Sequence, residues 1–403
     1  SLWTELDSKI YRGDGSSFWS GEQKLIASDG VSSYDFGYSV AISGDTAFVG
    51  AYNDDSKGSV YIFTRSGTTW TQQQKITASD AANGDFFGCS VSIAGDYAVV
   101  GAYHEDPDNI SNAGAAYIYK RNASGVWGDE QKITAASDAA TDDRFGYSVA
   151  ISGDYAIVGA YQNDFSSGSA YIFTRSGTTW SQQQKIVGSD IEQYNEFGRS
   201  VSLSGDYAIV GAPSKPGGGA VYIYTRNGTT WGNEQKITAI DAEDGDYFGW
   251  SVAIDGDYMI VGAPADGPPF AAGSAYIFTR SGTTWSQQQK LIASDAAFFD
   301  NLGWSVAIDG NTAILGAYQS DSYLGSAYIF TRSGTTWTQQ QKITASDTAN
   351  VEQFGWSVAI DGDYMIVGAY SAYGSDSAYI YNNINKTFVG IGTSTPAYTL
   401  DVN

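Results

Sequence analysis

Phe145-Gly146-Tyr147-Ser148-Val149-Ala150-Ile151-Ser152-Gly153-Asp154-Tyr155-Ala156-Ile157-Val158-Gly159-Ala160-Tyr161 reads as two short apolar strands joined by a tight turn. Val149, Ala150 and Ile151, then Ala156, Ile157 and Val158, are small and apolar at consecutive positions, which suits strands covered on both faces. Ser152-Gly153-Asp154 leaves room only for a hairpin turn, and Gly153 supplies the positive φ such turns require. Two further strands follow, so the unit is four strands, predicted at 146–151, 155–160, 169–174 and 179–186. The last is Gln-rich, carries Lys185 and is expected to be an exposed edge blunted by charge.

This unit recurs seven times. Its Phe-Gly pair returns at Phe36, Phe87, Phe145, Phe197, Phe248 and Phe354, with Leu302-Gly303 as the variant. Gly-Ala follows at Gly50, Gly101, Gly159, Gly211, Gly262, Gly316 and Gly368, always at the same distance. Tyr61, Tyr117, Tyr171, Tyr222, Tyr276, Tyr328 and Tyr379 begin a Tyr-Ile-Phe or Tyr-Ile-Tyr marker in the third strands. Trp19, Trp70, Trp127, Trp180, Trp231, Trp285 and Trp337 each precede a Gln-Lys pair in the fourth. Repeated four-stranded units of this length predict an all-β fold, a seven-bladed β-propeller with four antiparallel strands per blade. The seventh copy lacks its Trp strand, and the missing strand stands at Trp19 near the other end of the chain. That displacement predicts a ring closed by an N-terminal strand. The tryptophans of the fourth strands, and Trp250, Trp304 and Trp356 beside the Phe-Gly pairs, are expected to pack blade against blade. Those of the outer strands are expected to be partly exposed.

Phe-Gly followed by Gly-Ala-Tyr or Gly-Ala-Pro resembles the FG-GAP repeat of integrin α-subunit propellers, and more closely the bacterial FG-GAP proteins. In the integrin-type repeat, calcium sits on Asp-x-Asp-x-Asp-Gly between the first two strands. Here that turn is only Ser-Gly-Asp or Asp-Gly-Asp, with Ala-Gly-Asp in the second copy and Asp-Gly-Asn in the sixth, so no metal or other cofactor is expected from it. Weak Ca²⁺ binding is conceivable at Asp241-Ala-Glu-Asp244-Gly-Asp246, although a solvated loop is the simpler reading. The ends look different. Val389-Gly-Ile-Gly-Thr-Ser-Thr-Pro396, with Trp3 and Ile10-Tyr11 upstream, resembles a segment of trimeric phage tail fibres and bacterial fibre adhesins. Three regions result: a fibre-like segment at 1–15, the propeller at 16–382 and a second fibre-like segment at 383–403. The resemblance implies a homotrimer held through the flanking segments, and an extracellular location on a cell surface or a phage tail.

Among 403 residues, 44 acidic side chains face 21 basic ones, a net charge of −23 that disfavours nucleic acid and anionic lipid as partners. No apolar run is long enough for membrane insertion. A single Cys (Cys89) and a single His (His104) leave little for nucleophilic or zinc chemistry. Comparison of the seven copies shows a uniform scaffold with one varying element, the loop between second and third strands. Strand direction puts these loops on one face, the top, and both chain ends on the other. The top loops offer Tyr52, Tyr103, Tyr161, Tyr318 and Tyr370 directly after Gly-Ala, with Asp54, Glu105, Asn163 and Asp321 close behind, and also His104 and Phe270. Aromatic faces beside hydrogen-bond acceptors suit carbohydrate, although tyrosines in such positions also pack at loop bases. The expected function is a non-enzymatic recognition tip of a fibre, binding cell-surface glycan or protein through these loops. The alternatives are a carbohydrate-active enzyme using top-face carboxylates and a structural spacer.

Overall fold

The computed structural model describes residues 19–30, 34–267, 271–347, 353–370 and 376–383. Both fibre-like segments, apart from Asn383, and also Phe270, lie outside them. The described residues form 28 strands in seven four-stranded antiparallel sheets. In blade 3 the strands are Ser148–Ser152, Tyr155–Ala160, Ser169–Ser176 and Thr179–Ile186, paired in chain order from the axis outward. Its first strand starts two residues later than the sequence predicts, because Gly146, at φ 93°, bends the chain before the ladder begins. Blade 7 is completed by Trp19–Leu25, paired antiparallel to Ser377–Asn383 with Trp19 opposite Asn383. The N-terminal strand closes the ring, and the two ends of the described chain meet on the bottom face.

The hydrophobic core lies between blades, not within them. Ile157, Ile172 and Ile186 of blade 3 pack on Phe197, Val201 and Leu203 of blade 4. Leu25 and Ile380 of blade 7 pack on Phe36 and Val40 of blade 1 in the same way. Strands buried between two neighbours have no polar face, which explains their lack of apolar–polar alternation.

The recurring glycines sit at these joints. A Cβ on Gly159 would fall 2.9 Å from the carbonyl carbon of Gly198 and closer still to its oxygen. The Gly-Ala glycine of one blade is thus pressed against the Phe-Gly glycine of the next, and Gly368 meets Gly37 across the closure. Ser148 Oγ donates to Gly198 O at 2.8 Å and Ser357 Oγ donates to Gly37 O at 2.8 Å, marking the same joint. In blade 2 the Cys89 thiol faces Gly146 O at 3.5 Å instead. Burial pushes that thiol up to about 12, so it stays protonated and inert.

Two readings of the outer strand need correction. It is the outer edge of its sheet, but side-chain contacts with the next blade, not charge, occupy it: Gln184 Nε2 donates to Trp231 O (2.7 Å), while its Oε1 accepts from Trp231 N–H (2.9 Å). The same two-point contact joins every neighbouring pair, through Gln341 to Trp19 and Gln23 to Trp70 at the closure. The outer tryptophans are also fully buried, Trp180 at 3% exposure and Trp19 at 1%, because each lies in the joint with the preceding blade. At the bottom, Arg175 bonds Asp154 of the 1–2 turn and lies 4.4 Å over the Tyr97 ring of the preceding blade. The turn aspartates Asp45, Asp96, Asp154, Asp206 and Asp257 pair in this way with arginines of their own blades.

Candidate binding face

The top face has an inner ring and an outer ring. The residue after each Phe-Gly or Leu-Gly pair lines the mouth of the axial channel: Tyr38, Cys89, Tyr147, Arg199, Trp250, Trp304 and Trp356. The channel cavity measures about 260 Å³. Trp250, Trp304 and Trp356 do pack across blades as expected, with centroids 4.7 and 5.0 Å apart, but they do so around this opening. Arg199 sits 3.8 Å over the Trp250 ring and 5.3 Å over Tyr147, continuing the stack with a cation.

The five Gly-Ala tyrosines buttress this inner ring. Tyr52 stacks on Tyr38 (4.3 Å), Tyr161 on Tyr147 (4.4 Å) and Tyr318 on Trp304 (4.5 Å). Tyr103 packs against Tyr147 (5.4 Å), and Tyr370 against Trp356 (5.0 Å). Arg144 Nη1 donates to the Tyr161 hydroxyl at 2.5 Å, and Tyr161 is buried while the other four are half-buried. These tyrosines occupy loop bases and pack against the inner ring.

In the outer ring, the lysine ending each Gln-Lys pair rises to the top face. Lys75 pairs with Asp29 (2.7 Å) and Asp54 (2.6 Å), and Asp54 also accepts from the Tyr61 hydroxyl. Lys132 joins Asp80 and Glu105, and Lys342 joins Asp295 (2.7 Å) and Asp321 (2.9 Å). Asn163 accepts from Lys185 and Ser169 and donates to Asp143. Burial opposes charge on Lys342, yet the flanking carboxylates hold it well above the ordinary lysine range. Asp54, Glu105 and Asp321 therefore tie the variable loops to the outer strand. Among the described residues no three His, Cys, Asp or Glu side chains gather as a metal site. Asp246, in the acidic stretch, accepts from Glu243 N–H, and Asp244 accepts from Gly217 N–H.

Among the described residues, the most exposed aromatics are ones the sequence reading passed over: Phe165 (78%), Tyr194 (69%), Phe299 (60%), Phe298 (58%), Tyr323 (49%) and Tyr247 (40%). All six lie in top-face loops, and four stand in the 4–1 connections. Those connections have nearly constant length, so a search by loop length ignores them. Their signal is compositional: Phe298-Phe299 stands where blade 2 has Asn83-Gly84. Between the 4–1 and 2–3 loops of a blade lies a recess. That of blade 6 holds about 370 Å³ among Phe298, Phe299, Tyr323, Gln319 and the Lys342 cluster. Recesses of about 330 Å³ in blade 2 and about 360 Å³ in blade 3 contain Phe86 with His104, and Phe165.

The fold and its markers define a closed seven-bladed β-propeller built from Phe-Gly/Gly-Ala joints. The FG-GAP repeat matches the chain seven times, at residues 19–63, 70–119, 127–173, 180–224, 231–278, 285–330 and 337–381, and the chain belongs to that family. No curated protein matches it in sequence. Among solved structures, it is similar to a hydrazine synthase chain of Kuenenia stuttgartiensis, with TM-score 0.54 and 12% identity over 85% of this chain and 95% of that one. At that identity the likeness is one of fold. No described helix is long and apolar enough to cross a membrane.

Proposed function

We propose that the top face is a non-enzymatic recognition surface that binds cell-surface glycan, carried outside the cell at the tip of a trimeric fibre. The observation behind this reading is the placement of the six exposed aromatics among the described residues, all on the face opposite the paired ends of the described chain. Aromatic faces beside carboxylates and amides match the alternating apolar and hydroxyl surfaces of a sugar. Recesses of similar size recur around the ring, so several weak contacts act together, and three chains in a fibre would multiply them. Asp54, Glu105 and Asp321 are each ion-paired with a lysine, which argues against these three as an acid–base pair.

A glycan array probed with the whole chain, and with a Phe298→Ala/Phe299→Ala/Tyr323→Ala variant, tests this. Defined glycans should be retained by the native chain and lost or weakened in the variant. Absence of any glycan signal, or release of cleaved product from retained glycans, would overturn the proposal.

A further inference from the structure

The recess of blade 2 gathers four carboxylates and the chain's one histidine. Asp80, Asp85, Glu105 and Asp106 line it together with His104. Lys132 bonds Asp80 and Glu105 and offsets one of these four carboxylates. Arg144 is turned inward to the Tyr161 hydroxyl and the rings of Tyr103 and Tyr161.

Two buried polar atoms here have no partner. Glu105 is 8% exposed, and while its Oε1 accepts from Lys132, its Oε2 is unpaired. His104 is clamped against Phe86 (4.8 Å) and Tyr103 (4.5 Å), and its Nε2 is likewise unpaired. Burial holds the imidazole below its ordinary range, so at neutral pH it is uncharged and one ring nitrogen is an acceptor. Buried polar atoms without partners are uncommon and call for a ligand or a solvent molecule. What these two atoms lack is a donor: Glu105 Oε2 and, with its proton on Nδ1, His104 Nε2 both accept, Asn83 and Asn112 of the lining bond neither, and a primary ammonium carries three N–H groups on one atom.

We propose that the blade-2 recess binds an amino sugar with a free ammonium group, using Glu105 and His104 as acceptors. This rests on the glycan-binding reading and narrows it to one site and one chemical class. Exposed Asp106 offers a further acceptor for a sugar hydroxyl.

The chain contains one histidine, so its ring resonances report on this recess alone. The whole chain should be titrated with glucosamine, glucose and propylamine while the His104 signals are followed. Glucosamine should move them and bind about tenfold more tightly than glucose, the margin of one charge-assisted hydrogen bond over a neutral one, and more tightly than propylamine, which keeps the ammonium but lacks the ring and its hydroxyls. Glu105→Gln should erase the preference over glucose. If that variant melts early from the loss of the Lys132 pair, His104→Ala read by tryptophan fluorescence provides the same comparison. Equal affinity for glucose and glucosamine, or propylamine binding as tightly as glucosamine, overturns this inference and leaves the broader glycan reading standing. Failure of every sugar here, combined with an empty glycan array, overturns both.

Discussion

Gly159→Ala isolates the joint on which the ring is built. The added methyl would lie 2.9 Å from the carbonyl carbon of Gly198, and nearer its oxygen and Ser148 Oγ. Carbon atoms rest about 3.5–4.0 Å apart, so blades 3 and 4 must separate locally by roughly 1 Å. Overpacking of this kind costs about 3 kcal/mol, the upper end of its range, since the obstacle is backbone and not a movable side chain. Displacing the Ser148–Gly198 hydrogen bond (2.8 Å) adds about 1 kcal/mol. The stiffer unfolded chain returns up to about 1 kcal/mol, so the net loss is about 3 kcal/mol. Gly153→Ala is the control: Gly153 lies at φ 58° with nothing near its Cβ, so only backbone strain of about 1 kcal/mol remains after the same entropic correction. For a cooperative unit of this size, with an unfolding entropy of about 0.8 kcal/mol/K, these become losses of about 4 °C and about 1 °C in melting temperature. Calorimetry on the two variants decides the matter. If Gly159→Ala melts no lower than Gly153→Ala, the glycine pair does not set the blade spacing and the account of the joint is wrong.

Gln184→Ala should cost about 2 kcal/mol by unpairing both backbone groups of Trp231, with Gln184→Glu in between because it keeps an acceptor; urea midpoints rank the three. Trp180→Ala should cost about 4–5 kcal/mol, the upper part of the range for fully buried tryptophan, and an equilibrium melt showing less than half of that would contradict its burial. Deleting residues 16–26 should open the ring and sharply lower the melting temperature, since Trp19–Leu25 completes blade 7; an unchanged melt refutes closure by this strand. Asp35 supplies a pH test: burial and then neighbouring Asp376 push its carboxyl up to about 6 against an ordinary 3.8, with Tyr52 and Asn53 opposing. A raised carboxyl favours folding below about pH 4 and loses that contribution as pH rises through about 6. Asp35→Asn should therefore remove a decline in melting temperature across that window, and parallel curves for the two proteins would show that Asp35 does not titrate there.

The blade count, the strand order and the displaced closing strand were legible because each rests on spacing along one chain, and the joint imposes that spacing. The Phe-Gly and Gly-Ala glycines recur at constant separation because both must reach the same contact between blades. What sequence spacing could not show was partnership one blade away. Gln184 reads as polar surface until Trp231 is seen lying beside it. The carboxylates of Asp54, Glu105 and Asp321 look available until the lysine at the end of the same blade is found between them and the 4–1 loop. Phe298 and Phe299 were overlooked for a different reason: loop length marked variability, whereas here the length is fixed and only the side chains change. Tyr52 and its counterparts were correctly placed on the top face, but their ring contacts show them supporting the channel mouth.

The Trp–Gln girdle carries a consequence for how such a chain diversifies. Thr174–Ile186 is repeated almost letter for letter at residues 64–76, 279–291 and 331–343, and each copy makes the same contacts with its neighbours. Genetic exchange within that stretch would shuffle whole sets of upper loops between copies or between related genes, while every seam stayed intact. A chimera carrying one blade's loops on another's strands is a natural product of this architecture, and new loop sets can be assembled by recombination without any fresh solution to folding.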